Sequence, residues 1–434
     1  MKYYSTNGKA PIADLHKAVV KGLAEDRGLY MPERINQLPK AFFDDIDKMS
    51  FQEIAYTVAN AFFGEDVDPD ALKDIVYDTL SFDCPVVNIK DNIYTLELFH
   101  GPTLAFKDVG ARFMARLLQY FIRQEGKGQQ VNVLVATSGD TGSAVANGFL
   151  GVDGIHVYVL YPKGKVSPIQ ECQFTTLGKN ITAIEVDGVF DDCQALVKNA
   201  FMDAELNQHM KLTSANSINV ARFLPQAFYY FNAYARMKAQ DKADQLVMCV
   251  PSGNFGNICA ALFGHAMGLP IKRFIAANNA NDVFYNYLQT GKYEPKASVQ
   301  TLANAMDVGD PSNFARIYDL YGKSHERISS LISGATYSDE QIKEAMRQCY
   351  KDTNYILDPH GACGYQALVD GLQEGEVGVF CETAHPAKFK EKVDDILGID
   401  VEIPDRLAAF MKGEKQSVPM TKDFKDFKAY LMKQ

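Results

Sequence analysis

From residue 93 onward, short apolar runs alternate with amphipathic stretches. The runs cover 93–99, 131–136, 155–161, 181–186, 246–250, 271–276 and 377–381, and each leads into a glycine-marked loop and a pattern with a period near 3.6. Near-continuous apolar strands separated by helices predict parallel sheets with both faces covered. The first 80 residues read differently. A turn at Asn7-Gly8-Lys9-Ala10-Pro11 precedes apolar periodicity over 12–24, and further helical patterns cover 50–63 and 69–80, so a mostly helical N-terminal extension is expected. No internal repeat and no Pro/Gly/Ser linker separates independent modules, so interwoven domains are expected, and the change of pattern marks an N-terminal domain over 1–80 and a catalytic region over 81–434.

Composition narrows the function classes. The 434 residues suffice for two or three domains of roughly 150 residues each, so no disulfide is needed for stability. Hydrophobic residues at 47% and charged residues at 23% exclude a disordered or fibrous chain. With 44 basic and 54 acidic residues the net charge is −10, which argues against nucleic-acid or anionic-membrane partners and for small-molecule chemistry. The start Met1-Lys2-Tyr3-Tyr4 has no apolar leader, and no stretch nears the ~18 apolar residues of a membrane span, so a cytoplasmic protein is expected. The eight cysteines show no C-x-x-C pair or zinc-like spacing, which points to reduced, buried thiols and no metal site.

Ligands of parallel α/β sheets lie beyond the carboxyl ends of the strands, so the loops there carry the candidate chemistry. After 131–136 comes Thr137-Ser138-Gly139-Asp140-Thr141-Gly142, whose hydroxyls and glycines at a helix start suit an anion or, equally, an ordinary capped turn. After 246–250 comes Ser252-Gly253-Asn254-Phe255-Gly256-Asn257, where two glycines let the backbone close around a phosphate. It matches neither a dinucleotide fingerprint nor a P-loop. Lys107 follows Leu104-Ala105-Phe106 at a helix start, where burial and the helix dipole both favour the neutral, nucleophilic amine; a solvated first-turn lysine is the plainer alternative. After 377–381, Thr383 fits a helix cap and His385 a structural role. No H-E-x-x-H, G-x-S-x-G or EF-hand pattern occurs.

Taken together, Phe106-Lys107-Asp108, the 137–142 loop and the 252–257 loop resemble the fold type II (tryptophan-synthase-type) pyridoxal-phosphate enzymes. Within them the chain resembles the threonine synthase family over essentially its whole length: Tyr3-Tyr4-Ser5-Thr6-Asn7, Asp26-Arg27-Gly28-Leu29-Tyr30-Met31-Pro32 and Tyr161-Pro162-Lys163-Gly164-Lys165-Val166-Ser167-Pro168 are similar to its segments. The resemblance implies two open parallel-sheet α/β subdomains, the smaller and mobile one spanning approximately 100–230. It implies pyridoxal 5'-phosphate as cofactor and conversion of O-phospho-L-homoserine and water to L-threonine and phosphate.

By position, Lys107 would bind the cofactor covalently, Gly253, Asn254, Phe255, Gly256 and Asn257 would cradle its phosphate, and Thr383 would face its ring nitrogen. Asp140 would lie on the cofactor's hydroxyl side, where many relatives of the wider group have Asn. Thr137, Ser138 and Thr141 would surround the substrate. Ser214 to Arg222 resembles the family's substrate-phosphate site, with Arg222 as a planar fork and Asn216, Ser217 and Asn219 as neutral donors. Lys163 and Lys165 either extend that pocket or are surface charges. The alternatives are a serine/threonine dehydratase-type lyase, which needs no such cluster, and a catalytically inactive binding relative. Monomer and homodimer both remain open.

Overall fold

The computed structural model describes residues 1–126 and 128–434. The chain forms two compact units, one of Met1, 31–106 and 223–402, the other of 2–30, 107–222 and 403–434.

The first unit is built on a six-stranded sheet in the order Ile332–Thr336, Arg273–Asn278, Leu246–Pro251, Val377–Glu382, Ile93–Glu97, Val86–Lys90. All neighbours are parallel except the edge pair Val86–Lys90 and Ile93–Glu97, which close as an antiparallel hairpin. The central strand Leu246–Pro251 is buried along its length, as a doubly covered parallel strand must be. Helix Pro359–Gly371 packs on it and on Val377–Glu382. The expected N-terminal helices are present as Phe51–Phe63, opened by a Ser50/Glu53 capping box, and Pro69–Thr79, capped by Asp68.

The second unit holds a five-stranded, fully parallel sheet in the order Val418–Thr421, Ile181–Asp187, Ile155–Pro162, Val131–Ala136, Lys211–Ser214. Alternate residues Leu134, Tyr158, Leu160, Ile184 and Val186 meet Cys193, Leu196, Phe427 and Leu431 in one apolar cluster. The opposite register is covered by helix Asp140–Phe149, whose Gly142 lies against Val159.

Three features were not expected. The segment 1–80 is divided, 2–30 falling in the second unit and 31–80 in the first. Within 2–30 a short antiparallel pair, Lys2–Ser5 with Ala13–Asp14, precedes the helix Leu15–Lys21. The Asp26 carboxylate ties this end together by accepting from Ser5 Oγ and from the backbone N–H groups of Lys9, Ala10 and Gly28. Finally, 403–434 returns to the second unit, where Val418–Thr421 becomes an edge strand. Strands of two to four residues are too short to show a period of two, and a return from the C-terminus leaves no local signal.

Candidate functional site

In the first unit, strand Leu246–Pro251 runs into the 252–257 loop and helix Gly256–Ala266. Phe255 takes the left-handed conformation at φ 67°, which turns the chain abruptly into the helix, and as the N-cap it offers no side-chain hydrogen bond. The N–H groups of Gly256 and Asn257 are therefore left at the positive end of the dipole, as anion sites require. The side chains of the loop serve the loop itself. Asn257 Oδ1 accepts from Ser252 Oγ (3.0 Å) and Ile258 N (2.8 Å), and its Nδ2 donates to the Pro251 carbonyl (2.8 Å). Asn254 Oδ1 accepts from Ser312 N at 2.7 Å, and Asn278 Nδ2 donates to the Ser252 carbonyl at 2.9 Å. Gly253 lies so close to the turn at 305–306 that a Cβ there would sit 2.5 Å from the Ala305 carbonyl oxygen. Here the backbone can meet a phosphate, while the Asn257 amide is used within the loop itself.

Thr383 follows strand Val377–Glu382 and is buried; its carbonyl accepts from Phe106 N at 2.8 Å, and Ala384 bridges Ala105. His385 Nδ1 accepts from Ala387 N at 3.0 Å, the structural cap its position suggested.

Beneath Thr383 lies a carboxyl cluster that apolar periodicity could not reveal. Glu382 and Asp358 are fully buried. Burial above all, and then Asp358, pushes the Glu382 carboxyl well above the usual carboxylate range. Burial alone would raise Asp358 too, but hydrogen bonds from Glu382 and the His360 imidazole hold it below its ordinary value. A raised folded-state pKa gives stabilisation that is complete below the ordinary carboxylate range and is lost as pH rises towards the folded value. Glu382→Gln removes that titration. Above the ordinary carboxylate range and below the folded pKa, the variant is expected to gain on the wild type by about 1.4 kcal/mol per pH unit in urea denaturation. Parallel stability curves would show that the Glu382 carboxyl is not raised in the folded protein.

In the second unit, Lys107 is the first residue of helix Lys107–Glu125 and half-buried, with Asp108 buried beside it. Beyond strand Val131–Ala136, Thr137 Oγ1 accepts from Gly139 N (2.9 Å) and Gly142 N (2.8 Å), so this hydroxyl shapes the loop. Asp140 is buried, and Gln170, absent from the sequence-based candidates, donates to its Oδ1 at 3.1 Å while also bonding Ser167 Oγ. A donor at that oxygen fits a carboxylate fixed in orientation. Ser138 and Thr141 are half-buried on the same loop.

Beyond strand Lys211–Ser214, Asn216 and Ser217 are half-buried, and Asn216 Oδ1 is a buried oxygen with no hydrogen-bond partner among the described residues. Arg222 is almost completely buried, with Nη1 on the Ala215 carbonyl. Asn219 departs from the expectation. Its Nδ2 donates to Val19 O (2.9 Å) and Ser214 O (3.1 Å) and its Oδ1 accepts from Ala221 N (3.0 Å), so both amide hydrogens hold the segment and neither is offered to a phosphate. Lys163 and Lys165 are exposed on the loop after Ile155–Pro162.

Comparison with known proteins decides between the sequence readings. A family model described as pyridoxal-phosphate dependent enzyme matches residues 81–381, threonine synthase N terminus matches 2–80, and threonine synthase, C-terminal, matches 361–431. A threonine synthase from Haemophilus influenzae is 44% identical over 433 residues, covering 100% of both chains. The chain belongs to the threonine synthase family. The crystal structure of threonine synthase from Escherichia coli matches at a TM-score of 0.94 and 42% identity, covering 100% of both chains. The pyridoxal-phosphate-bound threonine synthase from Brucella melitensis matches at 0.93 and 33% identity, covering 100% of this chain and 99% of that one.

As a member of this family the chain is a pyridoxal-phosphate-dependent lyase of threonine biosynthesis with the fold type II α/β architecture, and the dehydratase alternative is not favoured. Among the described residues, no helix is long and apolar enough to cross a membrane. The residues present fit the cofactor. Gly253 is pressed against backbone where a Cβ would intrude, and the helix start at Gly256 is uncapped, as a phosphate cradle requires.

Proposed function

We propose that this chain converts O-phospho-L-homoserine and water to L-threonine and inorganic phosphate in the cytoplasm, with Lys107 as the residue that binds the cofactor and moves the protons. The observation that carries the reading is the uncapped helix start at Gly256, with Gly253 packed too tightly for a side chain, in a chain that also places an amine, Lys107, at a helix start. Bound pyridoxal phosphate supplies an electron sink for charge developing at the substrate's α-carbon. The backbone of Gly253 to Asn257 would hold its phosphate, Thr383 would serve its ring nitrogen, and Asp140, oriented by Gln170, would serve its hydroxyl side.

Lys107 Nζ is the acid–base group. From the start of its helix it can take a proton from the α-carbon and later return one. Thr137, Ser138 and Thr141 line the substrate on the loop that Thr137 Oγ1 shapes. Asn216, Ser217 and Arg222 bind the substrate phosphate and offset the charge that grows as it leaves, while Asn219 holds their segment in shape. Lys163 and Lys165, both exposed, extend the positive field around it.

Arg222→Lys keeps the charge but loses the planar fork. The KM for O-phospho-L-homoserine is expected to rise about tenfold or more, the worth of one charge-assisted hydrogen bond. An unchanged KM takes Arg222 out of the substrate site. The reading as a whole is tested by assaying phosphate and threonine together from O-phospho-L-homoserine, with deamination of L-serine and L-threonine measured alongside. Equal yields of phosphate and threonine are expected; keto acid without phosphate release would overturn the substrate assignment and leave the cofactor chemistry standing.

A further inference from the structure

Below the 252–257 loop, a chain of contacts runs through buried polar groups to the backbone that touches Gly253. It starts at Asp358, the N-cap of helix Pro359–Gly371, whose Oδ1 accepts from Gly361 N (2.9 Å) and whose Oδ2 accepts from His360 N (3.0 Å) and lies 2.5 Å from His360 Nδ1. The other ring nitrogen, His360 Nε2, receives the N–H of Ala305 at 3.1 Å. An N–H arriving at Nε2 requires a lone pair there, so the ring proton sits on Nδ1 and is donated to Asp358. Asp358 therefore fixes both the tautomer and the tilt of the imidazole, as an orienting carboxylate does for a catalytic or metal-bound histidine.

Ala305 is the residue whose carbonyl would lie 2.5 Å from a Cβ on Gly253, with Met306 Cα at 3.0 Å. The 3-10 turn Asn304–Met306 is held at its start by Asn279 Nδ2 on the Ala303 carbonyl (3.1 Å), and Asn279 also bonds Asp307 (2.9 Å). Its centre, the residue that meets the loop, has its amide on His360. Because helix Pro359–Gly371 packs against strand Leu246–Pro251, the brace is anchored to the strand that feeds the loop. Deep burial of Asp358 and His360 keeps water from competing for these bonds.

We propose that Asp358 and His360 are positioning residues that hold Ala305 against Gly253 and so preset the spacing of the loop's backbone N–H groups for the cofactor's phosphate. The proposal rests on the reading that this loop binds that phosphate, and the two can fail separately. Neither residue touches the cofactor; their effect passes through the turn.

The test compares the affinity of the apoenzyme for pyridoxal 5'-phosphate with that for pyridoxal, which lacks the phosphate, both read from visible absorbance on binding. His360→Gln retains an acceptor at the Nε2 position, whereas His360→Asn reaches Asp358 but not Ala305. His360→Asn is expected to weaken pyridoxal 5'-phosphate about tenfold, the worth of one buried hydrogen bond, and to change pyridoxal by less than about twofold. His360→Gln is expected to remain within about threefold of wild type for both ligands. Equal weakening of both ligands, or identical behaviour of the Gln and Asn variants, overturns the proposal. If His360→Asn leaves the affinity ratio unchanged while Gly253→Ala collapses it, the positioning role fails and the phosphate reading stands. If Gly253→Ala also leaves it unchanged, the phosphate reading fails with it. In the unmodified protein, hydrogen exchange of a peptide spanning 303–307 should slow with pyridoxal 5'-phosphate and not with pyridoxal; equal exchange under both overturns the proposal even if the variants do not fold.

Discussion

Replacing Lys107 by alanine is expected to reduce threonine formation by at least about 10⁴-fold while leaving the protein folded, because in the proposed role this one amine binds the cofactor and carries protons at successive steps. The fold tolerates the change: Lys107 is half-buried at the start of a 19-residue helix whose packing rests on Val109, Phe113, Met114, Leu117, Leu118 and Phe121. Alanine is also the better helix former. Loss of turnover with an unchanged melting temperature therefore separates chemistry from stability. A second measurement removes the remaining ambiguity. Borohydride treatment of the wild-type holoenzyme should leave a stable adduct on the peptide containing Lys107, and the variant should carry none. Threonine formation by the variant above one-hundredth of the wild-type rate, or an adduct on a different lysine, would reassign the role.

The next largest effect is expected at Gly253. Its φ lies outside the left-handed region, so alanine meets no backbone penalty there, and the expected loss is purely steric. A Cβ 2.5 Å from one backbone oxygen and 3.0 Å from a backbone Cα cannot be relieved by rotating a side chain, so either the loop or the 304–306 turn must move. Overpacking of this kind costs about 1–3 kcal/mol, and because the displaced atoms are those that define the cradle, most of it is expected in cofactor binding. Gly253→Ala should therefore raise the pyridoxal 5'-phosphate dissociation constant by roughly 10- to 100-fold, against a shift of only a few degrees in melting temperature for a chain this long. Wild-type affinity in this variant would show that the loop is not where the phosphate binds.

Both expectations rest on residues singled out by the sequence, but the reasons for the effects come from different levels. The position of Lys107 at a helix start was legible because Gly101-Pro102 breaks the chain and the apolar periodicity through Phe113, Leu117 and Phe121 follows. The glycine requirement at 253 was legible only as permission for close approach. What approaches is a turn some fifty residues further along the chain, which no local pattern encodes. The asparagines show the same division. The resemblance places Asn254 and Asn257 in the phosphate cradle and Asn219 among the donors for the substrate phosphate, yet Asn254 Oδ1 accepts from Ser312 and the side chains of Asn257 and Asn219 bond Ser252, Pro251, Val19 and Ser214 to build the loops. Residue type gave the chemistry available at these positions; only the fold decided where it was used.

The seven apolar runs from 93 to 381 became strands close to their expected bounds, because a parallel strand buried on both faces must be apolar along its length and that is a local property of the chain. The parallel α/β class and the strand ends that carry the candidate residues follow from the sequence alone. The tertiary structure decided which strands share a sheet, how the first 80 residues divide between two units, and that the C-terminal strand Val418–Thr421 completes the sheet begun by Val131–Ala136. It also decided that Glu382, Asp358 and His360 form one buried cluster. Those outcomes depend on pairings between distant segments and on burial that shifts proton affinities, and neither leaves a periodic trace in the order of residues.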